Sequence, residues 1–277
     1  MVYNLAMYRE FFGLKEKPFN VTSDPNYLFL SRVHREAFAH LVYGIKERKG
    51  FLEITGDIGA GKTTLCRALL RQLDANTKTA FILNSTLPEL QLLQAILEDY
   101  GLGVERKNKV SMLQQFNRFL IEELSRGNNV ILIIDEAQNL KPSTLEEIRM
   151  LSNLETDKEK LFQIILVGQP ELRGKLNSPA LKQLRQRIGV RFHITPLEKG
   201  EISQYIYHRL KVAGSNGEIR FSDDALETIY RYSGGVPRLI NMVCDKSLLM
   251  AYVMETKEIS LAVIERSIQE IEGLVRV

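Results

Sequence analysis

The sequence predicts an α/β domain built on a parallel five-stranded sheet with flanking helices, followed by a small all-helical domain. Three observations predict it: five short β-branched or aromatic runs alternate with helical patterns, a glycine-rich turn joins the first run to a helix, and strand signals stop after about Leu197. Strand and helix in alternation give parallel strands, because each crossover lays a helix on a face of the sheet.

The elements follow in order. Residues 1–6 carry little pattern and read as an N-terminal extension. REAFAHLVYGIKE has apolar residues at three- and four-residue spacing, and GFLEIT (50–55) is the first strand. TTLCRALLRQL is helical, TAFILN (79–84) is the second strand, and PELQLLQAILEDY and VSMLQQFNRFLIEEL are two further helices. NVILIID (129–135), the helix TLEEIRMLSNL, LFQIILVG (161–168) and VRFHI (190–194) complete the sheet. Beyond it only helices are expected: EISQYIYHRLKVA, DDALETIYRY with Ser222 as N-cap, VPRLINMVCDKSLLMAYVM, and LAVIERSIQEI after Ser260. The expected domains are therefore 7–196 and 197–277, preceded by the extension 1–6.

Composition narrows the class without naming a function. The 277 residues are 44% hydrophobic and 26% charged, ordinary values for a globular chain that argue against disorder. A net charge of +3 lacks the strong excess of a dedicated nucleic-acid binder, so any basic patch must be local. The two cysteines, Cys66 and Cys244, each sit in an amphipathic helical pattern and read as buried free thiols of a reducing compartment. No apolar run has the length of a membrane helix and no leader pattern opens the chain, so the expectation is a cytoplasmic protein with no transmembrane segment.

GDIGAGKT satisfies G-x-x-x-x-G-K-[ST] and lies between a strand and a helix, the context that the motif requires. Gly56, Asp57, Ile58, Gly59, Ala60, Gly61, Lys62, Thr63 and the following Thr64 would cradle the phosphates of a nucleoside triphosphate. Glycines let successive N–H groups converge on phosphate oxygens at a helix N-terminus, Lys62 reaches the outer phosphates, and the Thr63 hydroxyl ligates Mg²⁺. Downstream, VILIIDEAQNL ends an apolar strand in two carboxylates. Charge at the edge of a core needs a partner: Mg²⁺ gives Asp135 one, and Glu136 is then placed to accept a proton from the attacking water.

With these motifs, the strand LFQIILVGQPEL, the arginine stretch LKQLRQRIGVRF and GGVPR at 234–238, the sequence resembles an AAA+ ATPase, a P-loop α/β core with a helical lid. Its opening YREFFGLKEKPFNVTSDPNYLFLSRVHREAFAHLVYGI resembles the ExeA/GspA-type secretion ATPases, related to transposition ATPases of the TniB/TnsC type. The resemblance runs from about Met7 to the C-terminus and implies ATP as substrate. It implies that Gln169 is the first sensor positioning the attacking water, that Asn84 holds Glu136 in an inactive orientation, and that Arg238 is the second sensor. Gln is not the commonest residue at the first of these positions. It implies too that the segment Tyr27 to Phe38 lies where relatives form the adenine pocket.

The arginine stretch lies where AAA+ proteins carry an arginine finger acting on a neighbouring subunit, with Arg187 the first choice and Arg185 the second. Arg191, alternating with strand residues, reads as solvated or as a partner contact. A trans-acting arginine implies a homo-oligomer, ring or filament. ExeA-type proteins continue past the lid into a membrane segment and a peptidoglycan-binding part, whereas this sequence stops at Val277, as a shorter relative or a truncated chain would.

Two functions follow. The first is an ATP-hydrolysing motor or switch acting on a membrane-associated protein partner in secretion or pilus assembly, peripheral to the inner membrane. The second is an ATP-dependent regulator bound to duplex DNA, supported by Lys46, Arg48, Lys49, Arg106, Lys107 and Lys109 together with the stretch LKQLRQRIGVRF, a kind of charge run that is most often a solvated face. The first ranks above the second.

Overall fold

All five apolar runs become strands. The computed structural model describes residues 7–83, 85–104, 108–152 and 160–274. It opens with α1 (Met7–Phe11), a 3-10 turn at Pro25–Tyr27 and α2 (Arg32–Lys46). β1 (Phe51–Gly56), α3 (Lys62–Gln72), β2 (Thr77–Ile82), α4 (Glu89–Asp99) and α5 (Lys109–Ser125) follow. Next come β3 (Asn129–Ile134), α6 (Pro142–Leu151), β4 (Gln163–Gly168), α7 (Pro170–Leu176), α8 (Lys182–Arg187) and β5 (Ile188–Ile194). The remainder is α9 (Ile202–Val212), β6 (Arg220–Phe221), α10 (Asp223–Ser233), α11 (Pro237–Val253), β7 (Glu258–Ile259) and α12 (Leu261–Ile271).

The chain forms two compact units. The sheet unit holds residues 32–57 and 65–194. Its strands pair in the order β2-β3-β4-β1-β5, every pair parallel. Val130, Leu132 and Ile134 of β3 share a core with Leu93, Ile96, Phe116 and Leu120 of α4 and α5. Ile131 and Ile133 point to the opposite face and are equally buried. Each such side chain contributes roughly 1.5–3 kcal/mol by leaving water. With all strands parallel, their C-terminal ends at Gly56, Ile82, Ile134, Gly168 and Ile194 share one edge, where open α/β sheets bind ligands.

The helical unit holds residues 7–31, 58–64 and 195–274. Residues 7–31, counted with the sheet in the sequence division, cluster here instead. The reason is Arg209 of α9, whose guanidinium is almost wholly buried. Its Nε donates to the Pro18 carbonyl at 2.6 Å and its Nη2 to that of Asn20 at 3.0 Å, while its carbon end lies 4.7 Å from the Tyr27 ring centroid. Buried guanidinium must be paired this way to be tolerated. Tyr8 adds a hydroxyl bond to Asp245 at 3.1 Å, and Phe12, Phe19 and Tyr27 join the core of α9 to α12.

This unit also departs from the all-helical expectation. β6 and β7 pair parallel through two residues each. Ser222 caps α10 as expected, its Oγ accepting the Ala225 N–H at 3.3 Å, whereas Ser260 opens α12 without a side-chain bond. Cys66 and Cys244 are buried and free, and burial pushes the Cys244 thiol far above its ordinary pKa. Among the described residues, no helix is long and apolar enough to cross a membrane.

Candidate active site

The phosphate loop leaves β1 and enters α3. Gly59 and Gly61 have φ of +80° and +92°, backbone that glycine adopts without steric cost. At Gly59 a second constraint applies: an added Cβ would lie 2.4 Å from the Cβ of Arg238. Arg238 also donates its N–H to the Gly59 carbonyl at 3.3 Å. The turn before it is pinned equally tightly, because Gly235, at φ +80°, would bring a Cβ within 2.1 Å of the Leu197 carbonyl. Its own carbonyl accepts the Leu197 N–H at 2.9 Å. Pro237 then starts α11, and the exposed Arg238 side chain follows in its first turn.

Lys62 opens α3 and is only 6% exposed. An ammonium kept from water at a helix N-terminus favours anionic company. Thr63 and Thr64 are half-buried beside it, Ala60 is buried, and Asp57 and Ile58 are exposed. We expect Gly59→Ala to weaken nucleotide binding about tenfold or more, since about 1–2 kcal/mol of left-handed strain adds to the displacement of Arg238. Titration with a fluorescent ATP analogue measures it, and unchanged affinity would refute the cradle.

At the end of β3, Asp135 is 2% exposed and Glu136 is half-buried. Glu136 has φ 52° and ψ 36°, left-handed backbone that costs a non-glycine residue about 1 kcal/mol or more. Both of its backbone groups are met by side chains. Its N–H donates to Asp135 Oδ1 at 2.9 Å, and its carbonyl accepts the Ser85 hydroxyl at 2.7 Å. These bonds hold the strained conformer and aim the carboxylate.

The carboxylate itself sits in a clamp of two amides. Gln138 Nε2 and Gln169 Nε2 donate to the same oxygen, Glu136 Oε2, at 2.5 and 3.2 Å. Gln138 in turn accepts the Gln169 N–H through Oε1 at 3.1 Å. Lys175 of α7 ties the backbone below, donating to the carbonyls of Gln138 and Leu140. Gly168, the last residue of β4, leaves room for this amide, since a Cβ there would lie 2.8 Å from Gln138 Oε1 and 2.9 Å from the Leu172 side chain. Gln169 thus meets Glu136, whereas Asn84 lies outside the described residues. Sequence reasoning missed Gln138, Ser85 and Lys175; the first stands two residues past Glu136 in DEAQ, the only signal available.

Two side chains of the arginine stretch, those of Arg187 and Arg191, are bound within their own chain. Arg187 ends α8 with Nη1 donating to Ser152 Oγ at 2.9 Å. Arg185 is half-buried, and its guanidinium makes no hydrogen bond or ion pair among the described residues. Arg191 is neither merely solvated nor reserved for a partner: its Nε lies 3.5 Å from Oε2 of Glu53, a 2% exposed carboxylate in the middle of β1. Burial raises the Glu53 pKa above the ordinary carboxylate range, and Arg191 and then Arg173 pull it back. Of the basic residues read as a DNA face, Lys109 pairs with Glu147 at 2.6 Å, and Arg106 and Lys107 lie outside the described residues.

Comparison with known proteins fits this geometry. The AAA domain family matches residues 45–176. General secretion pathway protein A of Aeromonas hydrophila is 43% identical over 97% of the chain, which covers 49% of that protein. The chain spans about half the length, or less, of the curated relatives it matches. Among solved structures, the ADP form of the Aeropyrum pernix ORC2 protein superposes with a TM-score of 0.70 at 17% identity, over 93% of this chain and 73% of that one. The Thermotoga maritima RuvB Holliday junction branch migration motor gives 0.54 at 20% identity, over 86% and 68%. At such identities the likeness shows the fold.

Fold, phosphate loop and family match together give the chain a P-loop fold of the AAA+ type, with residues 45–176 similar to the AAA domain family. Within that fold class its similarity to the Aeromonas protein, along nearly the whole of this chain, supports a relation to the ExeA/GspA-type proteins.

Proposed function

We propose that the chain hydrolyses ATP with Mg²⁺ as an oligomeric motor or switch acting on a membrane-associated protein in secretion or pilus-type assembly. The observation that carries the hydrolytic part is Glu136, a carboxylate on strained backbone clamped by Gln138 and Gln169 beside the buried Asp135. The secretion part rests on the Aeromonas relative.

The residues fit both ligands. The loop amides, the α3 N-terminus and Lys62 suit phosphate oxygens. A carboxylate and a hydroxyl, Asp135 and Thr63, are hard oxygen donors of the kind Mg²⁺ takes, with phosphates and water filling the other positions. When bound, the ion neutralises phosphate charge. Lys62 orients and neutralises the outer phosphates, and Glu136 accepts the proton of the attacking water. Gln169 positions that water and Asn84 restrains Glu136 in the resting state. Arg238, on the loop backbone at Gly59, reports phosphate occupancy to α11. Arg187, with Arg185 second, reaches a neighbouring subunit's site and stabilises transition-state charge.

A DNA-bound regulator is the second reading. It is favoured by structural neighbours that act on DNA, among them an Aeropyrum pernix ORC1 protein solved in complex with DNA. Sizing the Glu136→Gln protein with ATP, alone and with duplex DNA, separates the two. A nucleotide-dependent oligomer without DNA is expected; assembly only on DNA, weakening steeply with salt, would give the second reading priority.

A further inference from the structure

The junction of α8 and β5 is tied back to β1. The C-terminal turn of α8 ends at the Arg185 carbonyl, which accepts the Ile188 N–H and, at 2.6 Å, Arg191 Nη2. The same guanidinium turns its Nε to Oε2 of Glu53. Between helix and strand the register shifts: Phe51 pairs with Ile188 but Leu52 with Val190, leaving Gly189 as a bulge. A Cβ at Gly189 would press on the Lys49 Cβ at 3.1 Å, so the bulge is closely packed. Bulges of this kind re-aim the chain next to active sites. Arg185 and Arg187 thus project from a six-residue helix whose Arg185 carbonyl, in its C-terminal turn, is fastened through one side chain to a buried carboxylate on the strand that enters the phosphate loop.

We propose that Arg191 is a positioning residue, held by Glu53, that fixes the end of α8 and so the direction in which Arg185 and Arg187 are presented to a neighbouring subunit. A guanidinium is suited to this, because its fork can meet a carboxylate and a carbonyl at once, whereas an ammonium of similar reach meets them less rigidly. Glu53 lies 2% exposed between β4 and β5, so the anchor point is a rigid part of the sheet unit. The inference rests on the reading that α8 supplies arginine to another subunit's site.

The test uses Arg191→Ala and Arg191→Lys beside the double variant Arg185→Ala, Arg187→Ala, each assayed alone and mixed with Lys62→Ala protein. Thermal melting first checks that each variant is folded. Arg191→Ala is expected to lose at least tenfold in turnover with nucleotide affinity within about threefold of the parent, since the lost interaction acts on the transition state alone. Arg191→Lys should recover part of the loss. Mixing should restore turnover to Arg191→Ala, because an intact α8 from the Lys62→Ala subunit then serves its sound phosphate loop. Unchanged turnover, or a loss that mixing leaves in place while affinity falls too, would overturn the inference and make Arg191 a support of its own subunit's β1. The double variant separates the two ideas. If it turns over ATP like the parent, the reading of α8 itself fails; if it loses and regains activity on mixing while Arg191→Ala does not, only the positioning role fails.

Discussion

Glu136→Gln is expected to bind ATP with affinity close to the parent and to turn it over about 10²–10⁴-fold more slowly, the range a positioned general base supplies. The amide keeps the shape of the carboxylate and leaves the backbone bonds to Asp135 and Ser85 in place. What it removes is the basic oxygen that Gln138 and Gln169 address. Steady-state phosphate release and nucleotide titration on the same sample check both halves. Turnover within a few-fold of the parent would remove Glu136 from the base role and leave the clamp a structural device.

Arg187→Ala and Lys62→Ala proteins, each inactive alone, should regain activity when mixed. The first keeps its phosphate loop and lacks the donated arginine; the second lacks phosphate binding and keeps the donor. If subunits assort at random, about a quarter of sites combine a sound loop with a sound neighbour, and arginine donation worth roughly 10³–10⁵ in rate makes that recovery easy to read. Each donor must first exchange the bond from Arg187 to Ser152 for one to the neighbour. Mixing that restores nothing at assembling concentrations counts against Arg187, and the same experiment with Arg185→Ala then tests the second choice.

The sheet was legible because parallel strands buried on both faces read as unbroken apolar runs, and NVILIID has no alternation to misplace. The phosphate loop and DE pair were legible because their chemistry demands fixed spacing along the chain. Arg191 was not: its strand alternation turns it outward, and nothing in IGVRF points to a carboxylate on β1. Gln138 escaped for a similar reason, since an amide that bridges a carboxylate and the N–H of Gln169, just past β4, obeys no spacing rule. The placement of residues 7–31 depends on Arg209 reaching two carbonyls distant in sequence, a pairing invisible to local pattern. β6 and β7, two residues each, are too short to show a period.

The helical unit draws on both ends of the described chain, with Arg209 holding the carbonyls of Pro18 and Asn20 and Tyr8 bonded to Asp245. During synthesis the sheet unit's strands are all available once Ile194 has emerged, whereas the first-made segment must wait for α9 and α11. Contacts of such sequence separation form late and slowly, because loop closure precedes the reward. The aromatic side chains of Phe12, Phe19 and Tyr27 therefore lack their core partners until α9 to α12 have been made, an interval in which exposed apolar surface is prone to aggregate.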